Sequence, residues 1–317
     1  MNKIASVKNE QKALLSHASE EISIEKTVAE YQKKIVKRGG ISEATVDEQL
    51  AIVDQLAAFP LGRFLLQNRG LNGFWTDYIL MHPHTGRITG LGADGKSFSK
   101  LEEFILNRAP TVLATQERFE IFRYQTQMRV SEGVRIISVP CGLMSDLLTL
   151  DYKKVDAFEL VGMDLDITSI HYATQRAAKY GLSEHASFFL ADAWADGAVE
   201  PADLLLSNGL NIYVDKEETI IDLYRSYHRM IKKDGLLITS FLTPPPNVAE
   251  SEWYLDSIDI ASAMKQKLIL TDILEAKWNN FWTTEQVIGH LVEAGFADIQ
   301  IIPDTANIFP TVVAMKG

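Results

Sequence analysis

One cysteine, Cys141, is all the chain contains. That excludes an internal disulfide and any metal site built from several thiolates, and it fits a reducing compartment. Positive charge is scarce as well: 31 lysines and arginines face 42 aspartates and glutamates, a net charge of −11. Nothing therefore draws the whole chain to nucleic acid or to an anionic membrane. No apolar run approaches the roughly 20 residues that cross a bilayer. The opening MNKIASVKNEQKALL holds too short an apolar core for a secretory signal. Repeats and low-complexity tracts are lacking too. What is there is a chain of 317 residues, 46% hydrophobic with mixed charge, the profile of a soluble globular protein of one large or two modest domains. A cytoplasmic protein is expected.

Residues 1 to 130 read as an all-helical region that serves as a lid, a substrate-binding part or an interaction surface. Ile24, Val28, Tyr31 and Ile35 recur at helical spacing, and Gly39-Gly40 would end that helix. Ser42 is expected to cap a helix carrying Val46, Leu50, Val53 and Ala57 on one face, stopped by Pro60. LGRFLLQNRG and GFWTDYILMHP follow, then an exposed turn or short hairpin from His82 to Gly95. Ser99 should cap KLEEFILNRA, and Thr111 to Met128 reads as one long amphipathic helix. His82-Pro83-His84 lacks a third ligand nearby, so no metal is expected. Trp75, Tyr78, Phe119, Phe122 and Tyr124 are candidates for a pocket lining, or else for apolar packing. Arg123, just upstream of the first core strand, is a substrate-site candidate whose alternative is an ion pair with Glu120. The helical region is also the candidate surface for a homodimer.

From Val134 the pattern changes. A buried strand, Arg135 to Val139, runs into the turn Pro140-Cys141-Gly142 and a helix opening near Leu143; a second strand, Phe158 to Met163, ends on Asp164. A strand feeding a small-residue turn and a helix presents free N–H groups at its carboxyl end. An acidic residue closing the next strand, 22 residues after Gly142, can accept from both hydroxyls of a ribose. Further strands follow in SFFLADAW, in the run Leu204 to Leu206 that stops at Ser207-Asn208-Gly209, and in GLLITSFL. Residues 244 to 280 read as a partly helical insertion in the core bearing Trp253, Tyr254 and Trp278. ADIQIIP and PTVVAMK are joined too closely for a crossover helix, so that pair should be antiparallel. Strands alternating with helices imply a mainly parallel sheet, with ligands bound beyond the strands' carboxyl ends.

In this set the chain resembles a class I S-adenosylmethionine-dependent methyltransferase over about residues 111 to 317. IISVPCGLM stands at that family's glycine-rich first motif, VGMDLD at its acidic second strand, FFLADAW at its adenine segment, DLLLSNGLN at its fourth strand and GLLITSFL at its fifth. SVPCGL and FPTVVA resemble a bacterial branch whose substrate the sequence does not name. The resemblance implies an α/β fold, a doubly wound seven-stranded mainly parallel sheet over residues 131 to 317, with S-adenosyl-L-methionine as cofactor. It implies Gly142 and Leu143, with Pro140 and Cys141, at the donor's amino-acid portion; Asp164 and Leu165 at the ribose; Asp192 and Ala193 at the adenine; and Asn208, Gly209 and Leu210 beside the methyl group. Trp75, Tyr78, Arg123, Asn211 and Tyr213 are the substrate candidates, and the acceptor is expected to be a small molecule. No catalytic base is assigned; His171 and His228 fall in helices and are expected at the surface. Cys141 is expected to pack rather than react.

The departures are Ser138 where the family usually has an acid, Pro140 at the first glycine and Met144 at the third. Proline fixes φ near −65° and lacks an N–H, so this is not the usual glycine turn. The loss also counts against a dinucleotide, whose pyrophosphate needs close backbone approach. A nucleotide-dependent oxidoreductase is therefore the weaker enzyme alternative, and a methyltransferase-like scaffold without catalysis is the non-enzymatic one.

Overall fold

The structure, a computed structural model, describes residues 23–195, 197, 199–277 and 280–317. Trp278 and the first 22 residues of the expected helical region lie outside the described residues. The chain divides into two compact units, one holding residues 117–253 and 280–317, the other 23–116 and 254–277. The division falls at residue 117, inside the helix Pro110–Gln127, rather than near 130.

Seven strands form one sheet in the first unit: β1 Val134–Ser138, β2 Phe158–Asp164, β3 Ala186–Leu190, β4 Ala202–Ser207, β5 Ile231–Ser240, β6 Phe296–Ile302 and β7 Thr311–Lys316. Their order is β3-β2-β1-β4-β5-β7-β6. β7 runs antiparallel to both β5 and β6, and the remaining pairs are parallel. This is the Rossmann-like α/β architecture of methyltransferases, as expected, and the closing antiparallel pair is there. Alternate residues feed two cores, because side chains along a strand point to opposite faces. Ile137, Val161, Leu205 and Leu237 pack on one face. Ile136, Leu160, Leu204 and Ile238 pack on the other. The chain runs outward from β1 through β2 to β3 and then crosses back to β4 on the other side of β1, so β1 and β4 flank the switch point where such sheets take ligands.

The second unit is helical and has a core of its own, in which Val53, Leu56, Leu61 and Leu106 are fully buried. Its helices include Ile24–Arg38, Val46–Ala57, Pro60–Asn68, Gly73–Met81, Lys100–Asn107 and Ile260–Gln266, the last continuing as a π-helical segment Lys267–Ile273. Gly39 ends the first helix with φ 87°, and Ser99 caps Lys100–Asn107 as expected. The cap of Val46–Ala57 is Thr45, not Ser42: Thr45 and Glu48 form a reciprocal capping box. Pro60 opens the next helix at its first position, where its missing N–H costs nothing.

Two further expectations are corrected. Only the second half of residues 82 to 95 is the expected exposed turn, closed by an isolated antiparallel bridge from Leu91 to Ser97; the first half is instead a 3-10 turn His82–His84 and a short helix Gly86–Thr89. His82 is fully buried because its Nε2 meets Asn107 Oδ1 at 3.0 Å and its ring packs edge-on against Phe98. The expected insertion in the α/β core belongs largely to the helical unit. Leu268, Ile269, Leu270 and Ile273 enter that unit's core, since the segment carries more apolar surface than a solvated loop can hold. No single helix among the described residues is long and apolar enough to cross a membrane.

Candidate functional site

The carboxyl ends of β1 and β2 are tied together by Asp164. Its Oδ2 accepts from the Gly142 N–H and its Oδ1 from the Asp166 N–H, both at 2.9 Å. The Cys141 N–H donates to the Met163 carbonyl at 2.8 Å, and the Val139 N–H to the Leu206 carbonyl of β4 at 2.9 Å. Strand pairing sets Asp164 beside Leu190, and the Ala191 N–H donates to the Asp164 carbonyl at 3.0 Å. The first four strand ends are thus linked through backbone and one carboxylate. Burial pushes the Asp164 carboxyl upward, and the N–H groups of Asp166 and Gly142 oppose that shift. A carboxylate offers about four acceptor positions, and the N–H groups of Gly142, Asp166 and Leu165 do not fill them all.

The β1 turn solves its shortage of glycine in an indirect way. Gly142 and Met144 both take positive φ, 50° and 57°, so the chain keeps the left-handed geometry without glycine at 144. The Met144 side chain lies in the apolar core with Cys141, Leu147 and Leu160. Room for it comes from the neighbouring strand: a Cβ at Gly162 would stand 3.0 Å from both Met144 Sδ and Cys141 Sγ, and 2.6 Å from the Phe188 ring. The Val139–Pro140 peptide bond is cis. Ser138 is buried, and its hydroxyl donates to Asp146 Oδ2 at 2.9 Å. A carboxylate therefore stands at the end of β1 after all, supplied from eight residues downstream; Asp146 was not singled out in the sequence. The helix expected from Leu143 is one turn, Ser145–Leu148, too short to carry a dipole of any size. Cys141 is buried, and burial pushes its thiol well up, with Asp164 and Asp146 adding to the shift. It packs with Met144, Leu147 and Leu160.

The other candidate residues at this edge are placed as follows. Asp192 Oδ1 accepts from the Trp194 N–H at 3.1 Å, closing its own turn, and Ala193 is buried. Leu165 is half-buried beside Asp164. Ser207 turns into the core and shares a hydrogen bond with the Tyr227 hydroxyl at 2.7 Å. Beyond it Gly209 takes φ 86° and Leu210 is buried. Asn208 Oδ1 and Asn211 Oδ1 are buried without hydrogen-bond partners. Asn211 Nδ2 is held by the Tyr224 hydroxyl at 3.1 Å and the Ser240 carbonyl at 2.6 Å. Burial raises the Tyr213 hydroxyl to about 12, so it is a donor at neutral pH and not a base.

The remaining substrate candidates make the following contacts. Arg123 pairs with Glu120 at 2.8 Å and donates to the Thr149 carbonyl at 3.2 Å, which makes it a structural tie. Trp75 belongs to the helical unit's own core, ringed by Phe64, Phe74 and Tyr78. The Tyr78 hydroxyl donates to the buried Glu102 at 3.1 Å, and burial pushes both groups upward. Phe119 and Phe122 are fully buried, while Tyr124 is exposed. His171 is exposed on its helix. His228 is half-buried against Phe296, and burial lowers its pKa. No metal-ligating cluster exists among the described residues. Sequence reasoning passed over Arg118, which lies five residues before Arg123 and is buried against Gly209 and Phe309; nothing in its helical spacing marks it out.

No protein-family model matches the chain, and no curated protein does. Among solved structures, a possible exported protein from Bordetella parapertussis is 38% identical, with a TM-score of 0.86, over 92% of this chain and 95% of the other. The apo form of the S-adenosylmethionine-dependent methyltransferase SibL is 14% identical with a TM-score of 0.51, over 92% of this chain and 95% of its own. The CMeT domain of the citrinin polyketide synthase is 13% identical with a TM-score of 0.51, over 87% of this chain and 71% of the domain. The last two likenesses establish the methyltransferase fold.

Proposed function

This chain belongs to the same family as the Bordetella parapertussis protein, and from its fold and site we propose that it is an S-adenosylmethionine-dependent methyltransferase acting on a small-molecule acceptor. The observation that carries the reading is Asp164: a half-buried carboxylate at the end of β2, bound to the β1 turn and still reachable by a ligand. The residues present suit the donor. Asp164 would accept from the ribose hydroxyls, Asp192 and Ala193 would border the adenine, and the buried, unpaired Asn208 Oδ1 would take a donor hydrogen beside β4. When bound, the cofactor supplies a methyl group already electrophilic on its sulfonium. The protein's part is to hold the acceptor in line and keep water out, worth up to roughly 7–11 kcal/mol when orientation is good. A pyrophosphate would instead need bare backbone at the turn, where Pro140 stands.

The scaffold alternative rests on Ser138, Pro140 and Met144. Two of the three have a counterpart that favours the enzyme: a carboxylate, Asp146, stands at Ser138, and Gly162 leaves space for Met144. Titration calorimetry with S-adenosylhomocysteine and with NAD tests the proposal: binding of the first alone is expected. Tight NAD binding without the first would mean an oxidoreductase, and silence with both a scaffold. Incubation with methyl-labelled donor and a cell extract, followed by mass analysis of the labelled product, would identify the acceptor. The cytoplasmic placement is part of the proposal, against a relative described as a possible exported protein; fractionation of producing cells separates the two.

A pH dependence follows from the site. Ribose hydroxyls donate more strongly to the ionised Asp164 than to its protonated form, and burial raises that group's pKa in the ligand-free protein. Affinity for S-adenosylhomocysteine is therefore expected to fall on acidification, beginning above the ordinary aspartate range. Calorimetry across that range checks it, and Asp164→Asn should flatten the profile.

A further inference from the structure

Arg118 lies in the α/β unit on the helix Pro110–Gln127 and is 4% exposed. A guanidinium carries five N–H donors. Here they make one hydrogen bond among the described residues, from Nη1 to Ser240 Oγ at 3.2 Å. Nε is buried with no partner at all. No ion pair joins the group among the described residues. Asp304 is the carboxylate whose charge reaches it, but that side chain spends its oxygens on the Ala306 and Phe309 N–H groups, at 3.0 and 2.6 Å. Burial lowers the guanidinium to about 10, still charged at neutral pH.

A buried cation without a counter-ion is costly to a fold, so its retention calls for a ligand that brings the charge. The surroundings say where that ligand sits. Ser240 ends β5 and Gly209 follows β4, both at the carboxyl edge of the sheet. A Cβ on residue 209 would stand 3.4 and 3.5 Å from Nη1 and Nη2, so glycine leaves that side of the fork open. The Phe309 ring supports the guanidinium from 4.7 Å. Asn208 and Asn211, on the same edge, each hold out an unpaired Oδ1. An arginine fork matches a carboxylate through two parallel hydrogen bonds. A phosphate dianion would want a second cation, and the groups whose fields reach Arg118, Asp304 and Tyr213, include none.

We propose that Arg118 is a carboxylate receptor at the methyl-transfer end of the sheet, pairing with the acid group of a bound ligand. The inference rests on the methyltransferase reading. The acid belongs either to the donor's amino-acid portion or to the acceptor. The test compares wild type with Arg118→Met, which keeps length and apolar bulk, and with Arg118→Lys, which keeps charge but loses the fork. S-adenosylhomocysteine and 5′-methylthioadenosine, the same nucleoside without the acid, are titrated into each protein. If the acid is the donor's, Arg118→Met weakens the first by roughly tenfold or more and leaves the second unchanged. If it is the acceptor's, both keep their affinity. Protein saturated with S-adenosylhomocysteine then binds benzoate and phenylacetate in preference to their amides, and Arg118→Met abolishes that preference.

The Met variant should also melt no lower than wild type, a result that a structural tie would not give; should it fail to fold, Arg118→Lys and the wild-type acid–amide comparison carry the test. Unchanged S-adenosylhomocysteine affinity together with no acid preference, or a preference that survives in Arg118→Met, would overturn the proposal. Absence of S-adenosylhomocysteine binding by wild type would instead remove the methyltransferase reading itself.

Discussion

Asp164→Ala is expected to weaken S-adenosylhomocysteine binding by about a hundredfold or more. Two ribose hydroxyls on one carboxylate form two hydrogen bonds to a charged group, each worth about 1.5–3 kcal/mol. The substitution also releases the Gly142 and Asp166 N–H groups that the carboxylate now holds at 2.9 Å, loosening the turn that borders the ligand. Calorimetry reads the affinity, and a thermal melt shows that the variant is folded. Asp164→Asn keeps the size and one acceptor oxygen and should fall between the two. Asp192→Ala should cost less, because one of its oxygens is already committed to the Trp194 N–H. An Asp164→Ala protein that binds as well as wild type would take the ribose role away from this residue.

The second large effect is on stability. Gly162→Val is expected to lower the melting temperature by several degrees, through overpacking worth about 1–3 kcal/mol. The new Cβ would meet the Phe188 ring at 2.6 Å and two sulfur atoms at 3.0 Å, all in a close-packed core. Because Met144 is one of those neighbours, the loss should be smaller in a Met144→Ala background than in wild type. Calorimetric melts of the four proteins give the coupling, since touching residues fail to add. Additive losses would mean that the two positions do not share space.

Much of the sheet was legible because its strands are short apolar runs closed by turn residues, a local signal. PCG after IISV, the aspartate after ELVGM and SNG after DLLL all mark strand ends that the fold brings to one edge. What escaped depends on tertiary context. The burial of Arg118 is set by strands more than 80 residues away, and helical spacing offers no sign of it; proximity in sequence favoured Arg123, which Glu120 neutralises. The LIL run after Lys267 reads as part of an insertion until its partners, the apolar faces of the N-terminal helices, are known. The capping box at Thr45 was a local signal, readable from the glutamate three residues on, and Ser42 drew attention only by coming first.

The bargain between Met144 and Gly162 has a wider meaning. A turn that has given up a glycine has borrowed space from the adjacent strand, so the two sites must change in concert or not at all. Descendants of this chain could regain glycine at 144 only by leaving a hole beneath it, and could widen residue 162 only by trimming the methionine. Such a pair evolves as a single character. Counting glycines in the first loop alone would miss the fold that the strand order shows.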